Sequence, residues 1–194
     1  MRFEMEDCTQ EWTFEPNSFD FVHMRFLVGS IDDWHLLIKR AFNACAPGGY
    51  FESVEPSPHI VSDDGSVTPN SALGQWGKLF VAGGRRFGRS FEIYDQGTVR
   101  AAMEAAGFVD IQQKDIDIPV GPWETDPKLK EQGEFTRLAM FKDPEGFILF
   151  FANALGWKSE EIKVYMAHIR KELMDKTKHG YFTNRVLYGR KPEA

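Results

Sequence analysis

The chain has 194 residues, 42% apolar, 14% aromatic and 27% charged, a composition that suits one good-sized domain with a hydrophobic core and excludes disordered, collagen-like and coiled-coil classes. Twenty-three basic against 29 acidic side chains leave a net charge of −6. That charge repels nucleic acid and anionic membranes unless a local basic patch overrides it, so neither is expected as a partner. Two cysteines, Cys8 and Cys45, are too few and too far apart for a disulfide framework or a zinc site, although a single disulfide stays open. No apolar run approaches the roughly 20 residues of a membrane span, and the start MRFEMEDCTQ lacks the apolar core of a secretion signal. The expectation is a soluble, cytoplasmic protein with no bound metal.

In chain order, Phe3, Met5, Asp7 and Cys8 suggest a short strand over residues 2–8, ending at a polar tip. Glu15, Pro16, Asn17 and Ser18 make a turn. The nearly continuous apolar run FDFVHMRFL, residues 19–27, predicts a buried central strand that runs into a loop at Gly29. Ser30 or Asp32 is placed to cap a helix whose Trp34, Leu37, Ile38 and Ala41 share one face, and Pro47-Gly48-Gly49 stops it before a strand over residues 50–54. Strand, helix and strand in about 35 residues form a parallel crossover unit, the mark of an α/β fold.

Residues 56–69 read as a loop. Residues 71–87 carry Leu73, Trp76, Phe80 and Val81 at near-helical spacing but hold four glycines before Phe87, which predicts a broken helix or lid. A helix over 96–106 stops at Gly107, and a strand over 108–118 ends at Pro119. Residues 128–155 predict two helices broken at Asp143-Pro144-Glu145-Gly146. Ser159 is placed to cap an amphipathic helix with Ile162, Tyr165, Met166, Ile169 and Leu173 on one side, and residues 181–190 make a final strand.

The segments EDCTQEWTFEPNSFDFVHMRFLVGSIDDW, APGGYFESVEPS and YFTNRVLYGRKP, in this order, resemble the later part of class I S-adenosylmethionine-dependent methyltransferases, and in particular the fungal LaeA-like group associated with secondary metabolism. The resemblance implies a truncated Rossmann-like fold: a mixed sheet with helices on both faces, forming one domain over residues 1–194 with a helical lid inserted at about 123–157. It places Asp7 and Cys8 beside the adenine, His23, Met24 and Arg25 at the cofactor and methyl-acceptor pocket, and Glu55 to Ser57 beside the acceptor, because open parallel sheets bind ligands beyond the carboxyl ends of their strands. The Gly-rich turn that receives the amino-acid end of S-adenosylmethionine in this family has no counterpart, since the glycines of AGGRRFG, residues 82–88, follow no predicted strand. Without the family's first two strands, the 19–27 strand has an open edge. The N-terminal strand or a second copy of the chain is expected to cover it.

Each candidate has a plain structural reading beside the chemical one. His23 is either a satisfied core histidine or a pocket residue, and Asp7 either a turn carboxylate or an adenine acceptor. Glu52 and Glu55 lie where a carboxylate of raised pKa serves as a general base, unless they are simply solvated. Arg85, Arg86 and Arg89 form either an anion clamp or a wet surface, while His59, His168 and His179 look like isolated surface residues. Trp76, Phe80, Phe87 and Phe91, with Tyr94 close by, suit either a core or the roof of an apolar ligand cavity. Three readings result. The first is a methyltransferase fold converted to cofactor-independent chemistry of the cyclase or pericyclase kind on a small apolar molecule, with His23 and Glu55 catalytic, Arg25, Trp76, Phe80, Phe87 and Tyr94 binding substrate, and no cofactor. The second is an S-adenosylmethionine-dependent methyltransferase completed by a partner chain or an N-terminal segment, with Asp7, Cys8 and Met24 at the cofactor. The third is a noncatalytic binding subunit.

Overall fold

A computed structural model describes residues 5–193. In chain order the elements are β1 (Phe19–Arg25), α1 (Trp34–Ala44), β2 (Cys45–Pro56), α2 (Ala72–Arg86), α3 (Ile93–Gln96), α4 (Thr98–Ala106), β3 (Val109–Pro119), α5 (Pro127–Lys142), α6 (Pro144–Ala154), α7 (Ser159–Met174) and β4 (Tyr181–Arg190). The strands form a four-stranded sheet in the order β1-β2-β4-β3, with β1 parallel to β2. The α/β class and the β1-α1-β2 crossover unit are therefore as the sequence indicates. No helix among the described residues is long and apolar enough to cross a membrane.

The chain divides into two compact units. The first comprises the residues up to Glu55, Ile93–Lys114 and the segment from Arg185 onward. Its core forms where Trp34, Leu37, Ile38 and Ala41 of α1 and Val99, Ala102 and Met103 of α4 close over Phe51 of β2 and Leu187 of β4. Asp33, not Ser30 or Asp32, caps α1: its extended backbone brings the side chain within 2.9 Å of the Leu36 N–H, while Asp32 is occupied by the Asp33 N–H. Gly107 ends α4 at φ 107°, a left-handed position that favours glycine, and its N–H reaches the carbonyls of Met103 and Glu104.

β1 is an edge strand, not the buried central strand suggested by its apolar run. With β2 as its one partner among the described residues, it turns Val22 and Met24 toward the core. Phe21, His23 and Arg25 point to the opposite face, where Phe21 is 55% exposed beside Tyr50 and Tyr188. Of the strand expected over residues 2–8, residues 1–4 lie outside those described, residues 5–7 are not a strand, and a turn closes from the Gln10 N–H to the Asp7 carbonyl. No described residue before β1 pairs with it as a strand.

The second unit comprises Pro56–Glu92 and Asp115–Asn184. It contains the helical segment expected as an insertion, together with α2 and α7. Helix α2 is continuous despite its four glycines, because all four allow close packing. A Cβ at Gly83 would meet the Phe151 ring at 2.8 Å, and one at Gly84 would lie 2.3 Å from the Arg89 carbonyl oxygen. Asp143 ends α5 and caps α6 by accepting from the Gly146 N–H, which explains the break at this point. At α7 the N-cap is Lys158, whose N–H donates to Glu161 of the first turn, rather than Ser159. Ile148 and Ala152 of α6, Ile162, Met166 and Ile169 of α7, and Leu73 and Trp76 of α2 build this unit's core.

Replacing glycine by alanine within a helix ordinarily stabilises it by about 0.5–1 kcal/mol. Gly84→Ala is expected to reverse that sign and cost about 1–3 kcal/mol, since the added carbon meets backbone and the Phe91 ring. Urea unfolding checks this, and an unchanged or raised midpoint would count against the close packing of α2.

Candidate functional site

The carboxyl ends of β1 and β2 in the first unit bring together the chemistry that the sequence scatters. β2 alternates strictly, so Phe51, Ser53 and Glu55 face the helix-covered side while Glu52 and Val54 face the other. Glu55 is 3% exposed. Its Oε2 accepts the N–H groups of Leu27 and Val28, each at 2.9 Å, and its Oε1 lies 3.1 Å from the Leu27 nitrogen. These amides belong to the turn that leaves β1, where Phe26 has φ 58°, a left-handed conformation unusual for a bulky residue. The Phe26 N–H is tied to the Val54 carbonyl at 3.0 Å, so carboxylate and strand together hold a backbone the turn would not adopt unaided. Burial pushes the Glu55 carboxyl up from 4.5 to about 7, against the opposing pull of the Leu27 and Val28 amides.

Beside Glu55 lies a cavity of about 40 Å³ lined by Ser53, Ile93, Tyr94, Val99, Arg100, Gln113, Arg185 and Leu187. The Arg185 guanidinium stacks 3.9 Å above the Tyr94 ring and donates to the Tyr94 carbonyl at 2.8 Å. With its amide oxygen turned toward Arg185, Gln113 accepts at 3.0 and 3.2 Å. The Ser53 hydroxyl is buried without a protein partner. Such a volume admits at most ~3 waters or the tip of a substrate, and no nucleoside.

The other candidates lie elsewhere. His23 is on the exposed face of β1, with Nδ1 2.9 Å from Glu52 and its ring stacked near Phe21. Because alternation sends His23 and Glu55 to opposite faces of the sheet, they do not form a catalytic pair. Arg25, exposed, sits 5.5 Å over the Phe26 ring. Met24 is packed in the core rather than in a pocket. Asp7 accepts from the Thr9 N–H at 2.9 Å and its hydroxyl at 2.7 Å, capping its own turn, while Cys8 is a half-buried thiol whose carbonyl receives the Trp12 indole.

In the second unit Trp76 and Phe80 pack 5.2 Å apart, with Phe91, Phe147 and Phe151 around them, and Phe87 is exposed. Arg85 is paired with Glu92 at 2.7 Å. His179 is not isolated, for its Nδ1 meets Asp64 at 2.7 Å. Arg185, Ser53 and Gln113 went unseen in the sequence. The alternation of residues 51–55 is the signal that could have separated Ser53 and Glu55 from Glu52.

A methyltransferase domain family model matches residues 2–113, more than half of the chain. The chain belongs to the methyltransferase domain family. It is 32% identical over 192 residues to the probable methyltransferase tdiE of Emericella nidulans, covering 98% of this chain and 59% of that protein. To methyltransferase pytC of Aspergillus terreus it is 31% identical over 193 residues, covering 99% and 59%. The secondary metabolism regulator laeA of Gibberella zeae matches at 32% over 195 residues, covering 98% and 61%. The chain thus spans about 59% of the length of the first two relatives. Among solved structures, Haemonchus contortus phosphoethanolamine N-methyltransferase 2 superposes with a TM-score of 0.50 at 20% identity, over 96% of this chain and 36% of that one. The [4+2]-cyclase SpnF reaches 0.50 at 13% identity, over 99% and 57%. These likenesses show the fold.

The family's cofactor, S-adenosylmethionine, finds a poor fit among the described residues of this methyltransferase-family chain. Asp7 is bound to its own turn, Met24 is packed, and the cavity at Glu55 is too small for a nucleoside.

Because the folded Glu55 pKa lies above the unfolded one, its protonated form supports the fold. That support is full below pH 4.5 and is lost as pH rises to about 7, a change of up to about 3 kcal/mol. Glu55→Gln is expected to remove this slope between pH 5 and 7 in urea unfolding, and parallel wild-type and variant curves would contradict it. Glu55→Ala, which strips the Leu27 and Val28 amides of their acceptor, is expected to cost about 2–5 kcal/mol.

Proposed function

We propose that this chain supplies the acceptor side of a small-molecule methyltransferase of fungal secondary metabolism, with the nucleoside of S-adenosylmethionine held mainly by residues outside those described. The observation that carries this reading is Glu55, a buried carboxyl poised near neutrality at the strand end, within a chain similar along nearly its whole length to tdiE and pytC. Glu55 has two roles in it. It positions the 26–28 turn, and through the cavity it takes a proton from an acceptor hydroxyl or amine whose tip reaches Ser53 and Tyr94. S-adenosylmethionine, when bound, supplies an electrophilic methyl group. Arg185 orients the polar end of the acceptor beside Tyr94.

The relatives outweigh the sequence-based preference for chemistry without a cofactor. Cyclase or pericyclase chemistry stands as the second reading, favoured by the poor fit of a nucleoside to the described residues. There the same groups polarise and fold an apolar substrate.

Deleting the coding sequence in the source organism and profiling its small molecules distinguishes the two. The proposal expects a metabolite to vanish while a precursor lighter by one methylene accumulates. Accumulation of an isomer of equal mass would overturn it in favour of cyclisation, and an unchanged profile would overturn both enzymatic readings. Titrating the purified chain with S-adenosylmethionine is expected to show no saturable binding below about 1 mM. A stoichiometric micromolar complex would contradict the division of the site.

A further inference from the structure

The second unit holds a cleft of about 410 Å³ that shares no lining residue with the cavity beside Glu55. Clefts that take small organic ligands span about 300–1,000 Å³. Val120, Gly121 and Leu173, all buried, form its floor. Gly121 has φ 114°, and its N–H donates to the Gly133 carbonyl of α5 at 3.0 Å. A Cβ at Gly133 would stand 2.0 Å from the Gly121 carbonyl oxygen, so α5 lies backbone on backbone against the segment that leaves β3. The floor is thereby fixed by a close approach that leaves no room for a side chain at position 133.

Trp123 supplies an aromatic wall. Its indole N–H donates to the Gly180 carbonyl at 2.9 Å and its ring rests 5.4 Å from that of His179, so the indole is held in place before a ligand arrives. Met174, 57% exposed, adds a polarisable thioether.

Charge in the cleft runs against that of the chain. The whole sequence carries −6, whereas the cleft is lined by Lys130, Arg137, Lys176 and Lys178 against Glu134 and Asp175. Glu134 is taken by Arg137 within α5, and Asp175 accepts from the Thr177 N–H at 2.9 Å and hydroxyl at 2.7 Å. The Lys178 ammonium donates to a neutral group, the Ser66 carbonyl, at 2.6 Å. Lys130 and Lys176 have no side-chain hydrogen bond or ion pair among the described residues. The ammonium groups of Lys130, Lys176 and Lys178 thus lack a carboxylate in ion-pair contact. Dispersed over a surface, such charges are simply solvated. Gathered around one concave apolar floor, they focus a positive potential into it and favour an anion.

We propose that this cleft binds a small aromatic anion, a flat ring that carries a carboxylate or phosphate group. The ring lies against Trp123 and Met174, and the anionic group meets Lys130 and Lys176. Binding here is independent of the chemistry assigned to Glu55, whose cavity belongs to the first unit.

Titrating the purified chain with naphthoate, naphthyl phosphate and naphthylmethylammonium, followed by the indole N–H signal of Trp123 in NMR, tests this. Trp123→Phe identifies that signal among the five tryptophans. At least one of the two anions is expected to saturate the signal below about 1 mM, and the tighter of them identifies the group that the lysines take. The cation is expected to leave the signal unmoved, as are acetate and inorganic phosphate, which lack a ring. Lys130→Gln combined with Lys176→Gln is expected to weaken binding roughly ten-fold, and added salt to weaken it in the wild type. Lys163→Gln, which alters a lysine of α7 that does not line the cleft, should leave it unchanged. Lys130 and Lys176 are exposed, so their double variant is expected to fold, and circular dichroism checks this. Failure of both anions to bind, equal binding of the cation or of the ringless anions, a Trp123 signal indifferent to binding, or full affinity in the folded double variant would overturn the proposal.

Discussion

A buried carboxylate that accepts backbone amides ties the first unit together. Two strands lying parallel in a sheet do not by themselves decide how the chain leaves their carboxyl ends, and in this fold that exit is where chemistry is placed. Glu55 decides it by accepting the Leu27 and Val28 N–H groups at 2.9 Å. These amides are thereby satisfied and the left-handed Phe26 is held in place. The cost is a carboxyl taken out of water, so its proton affinity rises until the group is poised near neutrality. The burial that accompanies this structural role raises the proton affinity, while the amide hydrogen bonds themselves pull it the other way. The second unit repeats the device, with Glu172 of α7 accepting the Ala72 and Leu73 amides at the start of α2. There the carboxylate lies at a helix N-terminus, where the dipole favours its charge.

Much of the fold was legible because its signals are local. Trp34, Leu37, Ile38 and Ala41 share a face whatever the chain does elsewhere, Gly107 stops α4 by its own left-handed geometry, and Asp143-Pro144 separates α5 from α6. Long-range features were less so. The run FDFVHMRFL has the composition of a central strand, but its place at the edge of the sheet depends on which strands pair with it. The glycines of α2 speak against a helix by propensity. Tertiary packing reverses that, since Phe151 and the turn at Arg89 occupy the space a side chain would need.

The candidate site was half legible for the same reason. Glu52 and Glu55 differ little as letters three apart. Alternation along β2 makes the first a half-buried partner of His23 on one face and the second a buried clamp on the other. Tyr94 was named for its ring, and its partner Arg185, ninety-one residues later, becomes visible only when β4 takes its place in the sheet. Asp7, matched by resemblance to an adenine contact, turns out to cap its own turn. Membership of the methyltransferase family thus describes the strand order better than it describes the surroundings of each matched residue.

The account stands on one ionisation. A carbon-13 NMR titration of the Glu55 side-chain carboxyl, followed together with the amide shifts of Leu27 and Val28, reads it directly. A midpoint near 7 shared by all three signals is the expected result. A carboxyl that titrates near 4.5, with amide shifts indifferent to it, would show that Glu55 is an ordinary solvated side chain and would remove the basis of the proposed site.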